Sequence, residues 1–142
     1  MIIGGYQKLT LIDYPGRLAT TVFTVGCSLR CPFCHNPELV LSSRFTVQGN
    51  LEKEFFEFLK KRKGKLEGVC ITGGEPLIQK DIIDFIKKIK KIGFLVKLDT
   101  NGTRPDVLRK MWTPVCRDDA SVVDLLVENQ HVSGNLDDLK II

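Results

Sequence analysis

The sequence predicts an α/β fold built on a parallel sheet, and two observations carry that prediction. Short apolar segments rich in β-branched residues alternate with amphipathic segments of helical periodicity, in the order β-α-β-α-β-α. The predicted strands are almost continuously apolar, which is typical of strands that crossover helices bury. We therefore expect parallel strands joined by right-handed crossovers.

The individual elements follow from these patterns and from the glycines and prolines between them. Strands are predicted at residues 18–25, 68–72 and 94–98. Helices are predicted at residues 51–63, 81–92 and 105–111. Gly93 suits a helix C-cap and Pro105 suits the first position of a helix. Residues 121–127 are a candidate for a fourth strand.

Length and composition point to one domain with a single core. The chain has 142 residues, of which 43% are apolar. We find no apolar run near the ~20 residues that span a bilayer, and no secretory signal at the start. Five cysteines, an odd number, argue against a disulfide framework. We therefore expect a soluble cytoplasmic protein without a membrane partner.

The positive charge is concentrated in two short runs. The net charge is +4, but residues 1–110 hold 19 basic and 11 acidic side chains, whereas residues 111–142 hold 2 and 6. The basic runs, at residues 60–65 and 87–91, lie near the ends of two predicted helices, where lysine complements the helix dipole. Since no aromatic residues interleave with them, we favour solvated helix faces over a nucleic-acid surface.

A cluster of cysteines is the most specific feature of the sequence. Cys27, Cys31 and Cys34 have the spacing C-x3-C-x2-C. Thiolates bind soft metals and iron–sulfur clusters, and three cysteines would leave one iron of a four-iron cluster open to a ligand. Zinc is the alternative, with His35 as a candidate ligand, but a second spaced ligand pair is missing. Cys70 and Cys116 are interpreted as structural or incidental.

Two further loops with unusual residues follow the second and third predicted strands. Gly73, Gly74 and Glu75 follow one, and Asp99 opens the other at an Asn-Gly turn. Because the carboxyl ends of parallel strands gather on one rim, both loops should meet the cysteine loop in space. Glycines let a backbone approach a ligand, and a glutamate can accept from an ammonium group. The alternative is two plain turns.

The cysteine trio, with Phe33 before its last member, resembles the signature of the radical SAM superfamily, whose members use S-adenosylmethionine (SAM). The wider sequence at residues 4–16 and 34–39 is similar to the glycyl-radical-activating enzymes, in particular to anaerobic ribonucleoside-triphosphate reductase activating proteins. The resemblance covers residues 3–110.

That resemblance implies a partial (β/α) barrel of three to four parallel βα units. It implies a [4Fe–4S] cluster on Cys27, Cys31 and Cys34. It also implies that SAM is contacted by four residues, namely Gly73, Gly74, Glu75 and Asp99. The implied reaction is reductive cleavage of SAM to a 5′-deoxyadenosyl radical. The implied partners are a glycyl-radical enzyme as protein substrate and an electron donor such as flavodoxin or ferredoxin.

The resemblance fades after residue 110. We therefore divide the chain into a radical SAM core at residues 1–110 and an atypical acidic segment at residues 111–142, either an edge strand or a truncated remnant. Longer members carry Asp-x-Lys on the fourth strand, whereas Asp124 has no lysine two positions on. Two alternatives stay open: a radical SAM enzyme acting on a small molecule, as in deazapurine biosynthesis, and a catalytically incompetent iron–sulfur or zinc-binding fragment.

Overall fold

The strands form a single mixed sheet whose spatial order follows the chain. The computed structural model describes residues 1–41, 50–115, 123–127 and 130–132. The strands within that part are β1 (Ile3–Thr10), β2 (Ala19–Thr24), β3 (Gly68–Gly73), β4 (Leu95–Thr100), β5 (Val123–Val127) and β6 (Gln130–Val132). The strands from β2 to β5 run parallel, while β1 and β6 pair antiparallel at the two edges.

The helices connect the parallel strands and carry recognisable end signals. They are α1 (Leu51–Arg62), α2 (Ile82–Ile92) and α3 (Pro105–Val115). The Asn50 side chain accepts the N–H of Lys53 at 3.1 Å and so caps α1. Gly93 ends α2 in the left-handed conformation, with φ +110°. None of the helices in the described ranges is long and apolar enough to cross a bilayer.

One face of the sheet packs against the helices and forms the core. Val22, Ile71 and Leu98 point to this side, where they meet the buried side chains of α1 and α2. Phe55 of α1 stacks on Phe85 of α2 with ring centroids 6.0 Å apart. Side chains alternate along a strand, so the residues between these apolar positions face the opposite side.

That opposite face is polar. Thr21 of β2, Cys70 of β3 and Lys97 of β4 are aligned in register across three neighbouring strands. Asp99 follows two positions after Lys97 and therefore shares its face. The sheet thus has an apolar side that is covered by helices and a side that carries charged groups.

The predicted α/β class and the predicted helices and strands are confirmed, with ends that shift by a few residues. β4 continues to Thr100, so Asp99 lies within the strand rather than in the loop after it. The fourth strand is confirmed at Val123–Val127, between β4 and β6. β1 and β6 were not predicted from the sequence. Residues 116–122, Cys116 among them, lie outside the described ranges, and the division at residue 110 stays a prediction.

Candidate functional site

The Gly73–Glu75 segment is bound directly to the backbone that leads into the cysteine loop. The N–H of Gly74 donates to the carbonyl of Thr24 at 2.8 Å, and the N–H of Glu75 donates to the carbonyl of Gly26 at 2.8 Å. These bonds join the carboxyl ends of β2 and β3. The predicted convergence of these two loops is therefore present in the structure.

This close approach requires glycine at both positions. Gly73 has φ +107°, and a Cβ there would lie 2.5 Å from the backbone nitrogen of Thr24. A Cβ on Gly74 would overlap the carbonyl oxygen of Gly26. Since both obstacles are backbone atoms, they cannot rotate away as a side chain could. The two glycines thus have a structural reason that is independent of any ligand.

The Glu75 carboxylate joins the loops after β3 and β4. Its side chain is buried, with 1% of the residue exposed. Oε1 accepts the N–H of Leu77 at 2.9 Å and the hydroxyl of Thr100 at 2.7 Å, while Oε2 accepts the N–H of Asn101 at 2.7 Å. Burial raises the pKa of Glu75 above its ordinary value, and these three hydrogen bonds offset part of that effect. Oε2 retains capacity for one more donor.

The cysteine loop is closed at its base and open at its tip. The N–H of Gly26 donates to the carbonyl of Leu39 at 2.7 Å, and the N–H of Cys27 donates to that of Val40 at 3.2 Å. Within the loop, Cys31 is exposed, while Cys27 and Cys34 are half-buried, and all are free thiols. The trio therefore lies on one accessible loop whose ends are fixed to each other.

The donor chemistry of this loop fits an iron–sulfur cluster. Within residues 1–41 and 50–111, no three Cys, His, Asp or Glu side chains are grouped closely enough to hold one metal ion. A [4Fe–4S] cluster requires a wider spacing of its ligands, because each cysteine binds a separate iron atom. Three unpaired thiols on one accessible loop supply such ligands. Their role as ligands stays a prediction.

Asn101 joins the β4 loop to the cysteine loop, a role that was not predicted from the sequence. Its Nδ2 donates to the sulfur of Cys27 at 3.7 Å, which also accepts the N–H of Leu29 at 3.4 Å. Its Oδ1 accepts the N–H and the hydroxyl of Thr103, and that hydroxyl lies 3.0 Å from the hydroxyl of Ser28. Only the Asn-Gly turn signal marked this residue in the sequence.

A partly buried ion pair on the polar face holds Asp99. The ammonium of Lys97, a residue only 4% exposed, lies 2.5 Å from Oδ1 of Asp99, whose side chain is 27% exposed. The Cys70 thiol donates to Oδ2 of Asp99 at 3.5 Å, and Lys97 lies 3.8 Å from the same sulfur. Asp99 was predicted from the sequence but Lys97 was not, because a single lysine in a strand usually faces solvent.

The Cys70 thiol should be chemically inert in the folded protein. Burial, together with the negative charge of Asp99, raises the pKa of this thiol, and the opposing effect of Lys97 is smaller. Because the thiolate is the reacting form, we expect iodoacetamide at pH 8 to alkylate Cys31 in the metal-free protein but not Cys70. Peptide mass spectrometry of native and denatured samples measures both sites. Equal alkylation of Cys70 and Cys31 under native conditions would contradict this assignment.

Comparison with known proteins identifies the family. The model of the radical SAM superfamily matches residues 21–139. The chain belongs to the radical SAM superfamily. Members of this superfamily use a [4Fe–4S] cluster and SAM.

The radical SAM relatives of this chain have several different names. A protein of Methanocaldococcus jannaschii named as a glycyl-radical enzyme activating enzyme is 36% identical over 114 residues, 78% of this chain and 44% of the relative. The pyruvate formate-lyase-activating enzyme of Clostridium pasteurianum is 36% identical over 70% of this chain and 43% of its own length. The 7-carboxy-7-deazaguanine synthase of Thermoplasma acidophilum is 36% identical over 63% and 40%.

A solved structure shares the fold of this radical SAM chain. QueE from Escherichia coli matches with a TM-score of 0.57 at 22% identity, covering 71% of this chain and 52% of that one. This likeness, with the mostly parallel sheet, agrees with the expected partial barrel. The chain spans less than half the length of the three curated relatives described above.

Proposed function

We propose that this chain holds a [4Fe–4S] cluster through Cys27, Cys31 and Cys34 and reductively cleaves SAM to methionine and a 5′-deoxyadenosyl radical. The observation that carries the proposal is the convergence of three loops at one rim of the sheet. The cysteine loop is bound to the Gly73–Glu75 segment, and Asn101 contacts both. When bound, the cluster supplies the electron that breaks the S–C5′ bond of SAM.

The cysteine loop and the residues around it are proposed to hold the cluster and to orient SAM. The closed base of the loop fixes where Cys27 emerges from β2, and the exposed tip leaves Cys31 accessible. Three protein ligands leave one iron without a protein ligand, and we propose that SAM binds there. The surrounding side chains then orient SAM, which is how the protein itself contributes to such chemistry.

Four residues are proposed to contact the methionine end of SAM. The backbone of Gly73 and Gly74 lies at the rim beside the cysteine loop, and the free acceptor capacity of Glu75 Oε2 suits an ammonium group. Asp99 is the second carboxylate, and Lys97 fixes its orientation. Glu75 follows the end of β3, and Asp99 lies near the end of the neighbouring strand β4.

Loss of either carboxylate charge should weaken SAM binding without removing the cluster. Asp99→Asn and Glu75→Gln keep the shape of each side chain while removing the negative charge that attracts an ammonium. A charge-assisted hydrogen bond contributes about 1.5–3 kcal/mol, so we expect affinity to fall roughly ten- to a hundredfold. Titration of the EPR signal of the reduced cluster with SAM measures this. Unchanged affinity in both variants would refute the placement of SAM.

A glycyl-radical enzyme is the proposed target of the radical. Relatives named as activating enzymes support this, including those of M. jannaschii and C. pasteurianum. In the described residues the sheet ends at β1 and β6 instead of closing, and we propose that such a partial barrel can admit a loop of a large protein partner at its rim. We further propose flavodoxin or ferredoxin as the electron donor and a cytoplasmic location, where thiols stay reduced.

A small-molecule substrate is the second candidate function. Relatives named 7-carboxy-7-deazaguanine synthase and GTP 3′,8-cyclase favour it, at 34–36% identity. The two candidates share the cleavage of SAM and differ in the molecule that loses a hydrogen atom. A protein that cleaves SAM but converts neither a glycyl-radical enzyme nor a small molecule would leave the activating function unsupported.

Anaerobic reconstitution followed by product analysis tests the proposal. The iron-loaded protein, reduced with dithionite and supplied with SAM, should form methionine and 5′-deoxyadenosine, whereas the Cys31→Ala variant should form neither. Addition of a glycyl-radical enzyme should then yield its EPR-detectable glycyl radical. A wild-type protein that binds zinc stoichiometrically and takes up no iron would overturn the proposed function.

A further inference from the structure

The Asn101 side chain has a fixed orientation that directs its amide N–H groups at the sulfur of Cys27. The N–H of Thr103 can only donate, so the Asn101 atom that it meets at 3.1 Å must be the oxygen Oδ1. The atom facing the sulfur is then the donor Nδ2. The neighbouring groups thus settle an amide orientation that would otherwise be ambiguous.

We propose that Asn101 raises the reduction potential of the cluster through the hydrogen bond from Nδ2 to the Cys27 sulfur. The inference rests on the proposed function, since it requires Cys27 to be a cluster ligand. Asn101 is therefore a positioning and tuning residue, not a catalytic one. Its side chain contacts Cys27, the proposed ligand of the cluster, rather than SAM or the molecule that loses a hydrogen atom.

The direction of the effect follows from charge. Reduction adds one electron to the cluster, and part of that negative charge resides on the ligating sulfurs. A hydrogen-bond donor to such a sulfur stabilises the reduced form more than the oxidised form, which makes reduction easier. The backbone N–H of Leu29 contributes a second donor at 3.4 Å, and substitution of Asn101 leaves that donor in place.

The same residue links this sulfur to the Glu75 carboxylate. The backbone N–H of Asn101 donates to Oε2 of Glu75, while the side chain donates to Cys27. Because the Glu75 contact uses the backbone, it is retained when the side chain changes. Side-chain variants of Asn101 therefore probe the sulfur contact without removing the bond to Glu75.

Redox titration of the reconstituted protein, followed by EPR, tests the proposal. Asn101→Asp keeps the size of the side chain but places a negative oxygen where the donor was. We expect about a tenfold fall in the equilibrium constant for reduction, which is about 59 mV for a one-electron couple. Asn101→Ala, which adds no charge, should shift the potential in the same direction by less.

Thr103→Val is the matched control. It removes the hydroxyl that contacts both Asn101 Oδ1 and Ser28 but leaves the donor to Cys27 in place. We expect its potential to equal that of the wild type, with iron content equal in all four proteins. Equal potentials in the iron-loaded wild type and both Asn101 variants would overturn this inference alone. Failure of the wild type to take up iron would overturn the proposed function and this inference with it.

Discussion

Alanine in place of any one of Cys27, Cys31 and Cys34 is expected to abolish cluster assembly. The wild type, reconstituted without oxygen, should bind about four irons per chain, as a [4Fe–4S] cluster requires. Among the cysteines that the structure describes, none is left to replace a missing ligand, because Cys70 lies buried on the polar face of the sheet beside Lys97 and Asp99. Iron and sulfide analysis, together with the visible absorption of the cluster, measures the loss.

Two cysteine variants serve as controls for this experiment. Cys70→Ala should retain the full iron content, since this thiol is buried within β3, where it contacts Asp99 and Lys97. Cys116→Ala, in the part of the chain outside the described residues, should also retain it if this cysteine is incidental. Full iron content in any single variant of the trio would show that another group replaces the missing thiol and would contradict the assignment.

Gly74→Ala should destabilise the protein severely even when no cluster is present. The added methyl group would overlap the Gly26 carbonyl, which itself accepts the N–H of Glu75. Relief requires the β2 and β3 ends to separate, which breaks this bond and its neighbour to Thr24. Backbone overlap of this kind costs about 3 kcal/mol or more. Urea denaturation of the metal-free protein measures the change in the free energy of unfolding.

Two other glycines separate the causes of this effect. Gly5→Ala adds a methyl group with no atom within 4 Å, so its unfolding free energy should change by less than about 1 kcal/mol. Gly64→Ala is also unobstructed, but its φ of +77° adds backbone strain. We expect the loss of unfolding free energy in Gly64→Ala to lie between the losses in Gly5→Ala and Gly74→Ala. A Gly74→Ala protein as stable as Gly5→Ala would show that the rim loops are not tightly packed.

The sequence was sufficient to predict the parallel part of the sheet but not its two edges. A strand such as β3 is almost continuously apolar and is largely buried, and this pattern is visible in the sequence. β1 contains Gly4 and Gly5 followed by polar residues, because an antiparallel edge strand has less to bury. β6 is too short, at three residues, for any periodicity to show.

The candidate site was predictable in outline for a topological reason. Loops after parallel strands must share a rim, so the convergence of the cysteine loop with the Glu75 loop followed from the strand order alone. The individual contacts did not follow. Asn101 and Cys27 are 74 positions apart, and no local pattern shows which side chains meet over that distance.

The role of Glu75 was also only partly predictable from the sequence. Its place at a strand end favoured a role toward a ligand, and that role stays a prediction. The structure adds three donors from the protein itself, from Leu77, Thr100 and Asn101. A carboxylate in a glycine-rich turn has the same sequence signature whether it braces loops or binds an ammonium, and here its geometry allows it to do both.

The strand order also has a consequence for how the protein assembles during synthesis. From β2 to β6, every strand pairs with the one before it in the chain. The pairing partner of each new strand has therefore already been synthesised. The longest of these connections joins β2 to β3, where Ala19 pairs with Gly68, and the entropic cost of closing a loop grows only slowly with its length. The cysteine loop, however, is synthesised 74 residues before the amide that meets Cys27. We therefore expect the hydrogen bond from Asn101 to Cys27 to form only after β4 docks, so that the surroundings of this sulfur are completed late in synthesis.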